Sequence, residues 1–76
     1  MQINVKFFAS LREQMGTDGE IVESSSPLSI ASVWQLVTDH APPENLLCSR
    51  NLKYADWDES LEDGDEVAFF PPVTGG

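Results

Sequence analysis

Residues 2–7 alternate strictly: Gln2, Asn4 and Lys6 interleave with Ile3, Val5 and Phe7. A period of two is the mark of a β-strand with one face in a core, because successive side chains point to opposite sides of a sheet. Such a strand needs an apolar layer on one side only. The chain has 76 residues, less than the ~100–200 of a typical domain, so there is one domain. Domains this short bury only about 60% of their unfolded surface. One principal helix is available to cover the sheet, and both faces cannot be covered. The expected class is α+β, a sheet with one main helix packed on a single face.

The rest of the chain supplies the other elements. Ser10 and Glu13 have the spacing of a capping box, and Gly16 can close the short helix that follows in a left-handed conformation. Thr17, Asp18 and Gly19 read as a turn, and Ile21 with Val22 as a second strand ahead of the polar run Ser24 to Ser26. After Pro27 and Ser29, the residues Ile30, Val33, Trp34 and Val37 fall at i, i+3, i+4 and i+7, one apolar stripe on the main helix. Pro42 and Pro43 force the chain out of helix. Leu46 to Arg50 makes a further strand, and Tyr54, Trp57 and Leu61 punctuate an acidic connection, packing at the edge of the core. Asp63, Gly64 and Asp65 turn the chain into a last strand, Val67 to Phe70, which Pro71 and Pro72 stop.

Charge narrows the partners. Thirteen Asp and Glu face four Lys and Arg, a formal net charge of −9. Lys6, Arg12, Arg50 and Lys53 are too scattered to bind a phosphate backbone or an anionic membrane, so no nucleic acid and no membrane partner are expected. No apolar run approaches the ~20 residues of a spanning helix, and the first residues lack the basic segment and apolar core of a signal peptide. Cys48 is the single cysteine, so no internal disulfide forms. A reduced, cytoplasmic protein with a structural thiol is expected.

Catalytic constellations are missing from the sequence. The acidic stretch from Asp56 to Glu66 fails the calcium-loop pattern, with Leu61 in place of its glycine and Val67 in place of its glutamate. His40 has no second ligand or triad partner nearby, and there is no glycine-rich phosphate loop. The domain is expected to bind no metal or cofactor and not to be an enzyme by itself.

The last six residues are different in kind. Pro71, Pro72, Val73, Thr74, Gly75 and Gly76 follow the final strand. A frayed terminus is the plain alternative, but Pro-Pro favours an extended course, and two glycines have no side chains to obstruct a narrow channel. At up to ~3.5 Å per residue such a tail reaches roughly 20 Å. Residues 1–70 are thus expected to form the folded domain and residues 71–76 a flexible C-terminal tail that presents a carboxylate for activation by adenylylation.

The string from Asp63 to Gly76, DGDEVAFFPPVTGG, resembles the C-terminal signature of the small sulfur-carrier subunits of molybdopterin synthase, the MoaD family. Val5, Phe7, Phe8, Ala9, Arg12, Glu13, Gly16, Thr17 and Asp18 are similar to that family's first segment. In the middle, Asn51 and Leu61 fit, whereas Arg50 and Lys53 stand where uncharged residues are expected. The opening Met1-Gln2-Ile3, Val5-Lys6 and the terminal Gly-Gly are also similar to ubiquitin, which implies a shared β-grasp fold with a mixed sheet.

The resemblance implies a cycle of sulfur transfer. A MoeB-type enzyme uses ATP to adenylylate the Gly76 carboxylate, and a sulfurtransferase supplies the sulfur that displaces AMP and leaves a thiocarboxylate. The tail, Pro71 to Gly75, threads Gly76 into the large subunit, MoaE, in a heterotetramer of two small and two large subunits. There it donates sulfur to cyclic pyranopterin monophosphate. The catalytic groups lie on the large subunit. A sulfur carrier for thiamine or another thiolated product and a ubiquitin-like protein modifier share the fold and the Gly-Gly end, and a plain acidic interaction module is an alternative of another class. If the first and last strands run parallel side by side, alternation turns Phe8 and Phe70 away from the main helix, an aromatic pair beside the tail suited to anchor a partner.

Overall fold

The computed structural model describes residues 1–72. Ile3, Val5 and Phe7 are all buried, as the alternation requires, in strand β1 (Gln2–Phe7). The elements that follow are α1 (Ala9–Met15), β2 (Gly19–Glu23), α2 (Ile30–Val37), β3 (Leu47–Arg50), β4 (Lys53–Tyr54) and β5 (Glu66–Phe70). The five strands form one sheet in the order β2-β1-β5-β3-β4. β1 and β5 are parallel, and every other pairing is antiparallel, so the sheet is mixed. This is the α+β, ubiquitin-like β-grasp architecture.

The main helix begins where the sequence places it. The Ser29 hydroxyl caps it by accepting from the Ser32 N–H at 3.2 Å. Ile30, Val33 and Trp34 are buried against the sheet, and Val37 packs at the margin of the same core. From β1 and β5 come Phe7 and Phe69, stacked with ring centroids 6.2 Å apart. Trp34 meets Phe69 edge-on at 5.0 Å, which joins helix to sheet through aromatic contact. The Trp34 indole N–H donates to the His40 carbonyl at 2.8 Å, so the chain leaving the helix is tied back to it.

Two expectations are corrected. Ser10 is not the cap of α1: the helix starts at Ala9, its N-cap is Phe8, and no side chain caps it. Strand pairing decides this, because the Phe8 N–H still donates to the Phe69 carbonyl at 3.2 Å. The chain must then reverse within one residue, at Ala9 with φ +55°, which leaves Ser10 inside the first turn. Gly16 does close α1, at φ +74°, donating to the Arg12 and Glu13 carbonyls. Tyr54 does not pack on the core edge as Trp57 and Leu61 do. It lies in β4 and is 78% exposed. Among the described residues no helix is long and apolar enough to cross a membrane.

Candidate functional site

Register places the predicted site residues. With Phe7 opposite Phe69 and Cys48 opposite Phe69, the inward side chains of β1, β5 and β3 share the helix side. Phe70, opposite Leu47, therefore lies on the open face. Phe8 continues β1 outward from that face and is 46% exposed. Each Phe-Phe doublet thus has one ring in the core and one outside it. The half-buried Phe70 has Tyr54 as its aromatic neighbour, with centroids 5.9 Å apart, on the β4 side of β5. Phe8 lies on the opposite, β1 side.

Pro71 is half-buried, and Pro71 and Pro72 help to line a cavity of about 50 Å³ with Leu11 and Gln14 of α1 and with Pro43 and Leu46 ahead of β3. The chain leaves β5 over this notch. Val73, Thr74, Gly75 and Gly76 lie outside the described residues.

A charged node holds the sheet together next to the hairpin β3–β4. Asp65 is buried, only 7% exposed. It accepts from Arg50 Nε at 2.7 Å, from Asn51 Nδ2 at 3.0 Å and from the Glu62 N–H at 2.8 Å. Burial alone would raise its pKa. The three hydrogen bonds and the Arg50 charge outweigh that and hold the carboxyl below its ordinary value. The hydrogen bond to Asp65 in turn raises the Arg50 pKa, and Glu59 lies 3.9 Å away on the other side. The two carboxylates account for a cation where an uncharged residue was expected.

The other candidate groups serve the fold. Cys48 is buried, and its thiol donates to the Ala55 carbonyl at 3.2 Å. Burial, with Asp56 and Glu59 nearby, pushes its pKa up, so it is held as a thiol rather than as a nucleophilic thiolate. His40 is exposed and contributes through its backbone, which accepts from Trp34 and donates to Thr38 Oγ1. Among the described residues no group of three side chains is arranged to hold a metal ion. What the described residues offer is a small notch at the C-terminal end of β5 and an apolar face beside it.

The sequence profile of the ThiS family matches residues 5–76, strand, helices and tail alike. The chain belongs to the ThiS family. Among its relatives, the molybdopterin synthase sulfur carrier subunit of Escherichia coli K12 is 41% identical, over 97% of this chain and 99% of its own. The crystal structure of SAMP1 from Haloferax volcanii superposes with a TM-score of 0.82 at 27% identity, covering all of both chains. A complex of subunits 1 and 2 of the molybdopterin-converting factor of Helicobacter pylori 26695 contains a chain with a TM-score of 0.70. That chain is 18% identical over the full length of both, a likeness of fold.

For this ThiS-family chain the sequence pointed to the tail, to Phe8 and to Phe70, but not to the surroundings of Phe70. Leu52 carries no reading there, and Tyr54 is read as a core-edge residue rather than as the aromatic neighbour of Phe70. A hairpin turn usually announces itself by Asn-Gly, and here Asn51 is followed by leucine, so β4 had no legible start.

Proposed function

We propose that this chain is the sulfur carrier of a molybdopterin synthase, with Gly76 as the reacting residue. The identity of 41% with the E. coli carrier subunit across nearly the whole of both chains carries this reading. A carboxylate is a poor electrophile. Adenylylation by an ATP-dependent, MoeB-type enzyme expels pyrophosphate and makes the Gly76 carbonyl a mixed anhydride. The outer sulfur of a sulfurtransferase persulfide then displaces AMP to form an acyl disulfide, and a second thiol, acting as the reductant, cleaves its S–S bond, releasing the thiocarboxylate and ending in a disulfide with the sulfurtransferase cysteine. In the large subunit the thiocarboxylate sulfur passes to cyclic pyranopterin monophosphate, two transfers building the dithiolene, and water restores the Gly76 carboxylate. This chain's residues bind and present. The groups that move protons belong to the large subunit, in an assembly of two small and two large subunits.

Each part of the carrier has a task in this cycle. The sheet and its node hold Phe70 in place, the notch around Pro71 and Pro72 sets the direction of exit, and Val73 to Gly75 span the channel. Phe8 and Phe70 anchor the partner on the open face. The test is loading: incubation with the adenylylating enzyme, ATP, a persulfide donor and a thiol reductant should replace one oxygen of the C-terminal carboxylate by sulfur, read by intact-mass spectrometry. A chain with one alanine appended after Gly76 should melt like the native protein and stay unloaded, and Gly75→Val should load poorly because a branched side chain restricts the backbone. Loading of the extended chain to the native extent would overturn the assignment of Gly76.

A protein-modifier reading is favoured by one observation, the TM-score of 0.82 to SAMP1, a small archaeal modifier protein. Lysine-linked conjugates carrying this chain's Gly76, in cells that make no molybdopterin through it, would decide for the modifier.

A further inference from the structure

Arg50 and Lys53 pair across the β3–β4 hairpin, so Asn51 and Leu52 are its two-residue loop. Both have positive φ, 51° and 70°. This is the mirror-image turn that fits the twist of paired strands, and its second position ordinarily takes glycine. Asn51 suits its place, because asparagine tolerates the left-handed region and its side chain is used twice. Nδ2 donates to Asp65, and Oδ1 accepts from the Glu66 N–H at 3.0 Å. The Asn51 N–H also donates to the Glu66 carbonyl at 2.8 Å, so the turn is held from outside.

Leu52 fits neither its backbone nor its surroundings. A side chain with a Cβ is disfavoured at φ +70°, and burial does not compensate, since Leu52 is 85% exposed. Residues held in sparsely populated conformations by their neighbours gather where a protein acts on something else. Leu52, Tyr54, Phe70 and Ser49 line one concavity of about 270 Å³ on the open face. None of the four carries a charge, in a chain whose net charge is −9. Loss of charge with aromatic enrichment is the composition of an interface centre.

The occupant follows from chain connectivity. Phe70 is bonded directly to Pro71, so a protein that takes in the tail must sit against this end of β5. Resting on the carrier reading above, we infer that Leu52 is an interface residue: with Tyr54 and Phe70 it forms the apolar corner on which the tail-accepting large subunit is seated. The strained turn keeps a leucine projecting where a glycine would relax the backbone and contact nothing.

Calorimetric titration of the purified large subunit with the native chain, Leu52→Gly and Leu52→Asn, each also melted thermally, tests this. Both replacements accept the left-handed turn. Both should bind about tenfold or more weakly, while the Leu52→Gly melting temperature stays level or rises by up to about 6 °C. Native affinity in both variants would overturn the inference and leave the carrier reading standing. Melting temperatures lowered in step with affinity would overturn it too, by making Leu52 a residue of the fold. A homodimer of the native chain that Leu52→Gly dissociates would assign the corner to a second copy instead. Failure of the native chain to bind the large subunit would overturn the carrier reading and the inference together.

Discussion

Replacing Asp65 by asparagine should destabilise the protein in a way that depends on pH. The amide can be turned to keep its oxygen toward Arg50 Nε and the Glu62 N–H, which both bond Oδ2 in the native protein. Its NH2 then faces Asn51 Nδ2, donor against donor, at the place of the native 3.0 Å bond. One buried hydrogen bond is lost outright, at about 1 kcal/mol, and the two that remain lose the strengthening that a charged acceptor gives. A loss of about 2 kcal/mol follows, or roughly 8–16 °C in the melting temperature of a domain this size. The folded-state pKa of Asp65 is depressed, so its contribution is fully present above the unfolded value, near 3.8, and is lost as pH falls from there through the folded value. Contributions from the rest of the chain cancel between native protein and variant, so the quantity to follow is the difference between them. Paired calorimetric melts from pH 7 to pH 3 should show that difference widest at neutral pH and shrinking below about pH 4. A difference of under 2 °C at pH 7, or one that does not change with pH, would refute the assignment of Asp65 as an anionic node.

Two further outcomes are expected. A Cβ on Gly19 would collide with the Val5 carbonyl of the neighbouring strand, backbone that cannot step aside, so Gly19→Ala should lose about 1–3 kcal/mol, read as a lowered urea midpoint with unchanged slope. Phe70→Ala should weaken large-subunit binding by about 2 kcal/mol or more while lowering stability less than Phe69→Ala, whose ring is fully buried, and Phe8→Ala should behave like a milder Phe70→Ala. Equal melts for the two β5 variants would count against this ordering.

Legibility followed the physics of each signal. The alternation of Ile3, Val5 and Phe7 and the stripe of Ile30, Val33 and Trp34 were plain because one-sided burial imposes a period on the sequence. The doublets Phe7-Phe8 and Phe69-Phe70 could be divided into inner and outer rings for the same reason. The cap of α1 was misread because a strand bond from Phe8 to Phe69, across more than sixty positions of sequence, overrides a local hydrogen-bonding pattern. β4 escaped notice because two residues carry no period, and its turn uses leucine where glycine would have marked it. Asp65 looked like one acid among many. Its burial depends on Arg50 and Asn51 arriving from the β3–β4 hairpin, and no local pattern encodes that meeting.

The place of β5 in the sheet ties synthesis to readiness. The central strand is built from residues 66–70, later in the sequence than every other strand, and until it is made the pairs β2–β1 and β3–β4 have no strand in common. A growing chain therefore cannot close its sheet early, and a product broken off before Phe70 loses the middle of the sheet rather than an edge. Phe70 and Gly76 stand six positions apart. A molecule that has folded has been translated to within a few codons of Gly76, so proteases that clear unfolded chains also clear chains that stop short of Phe70.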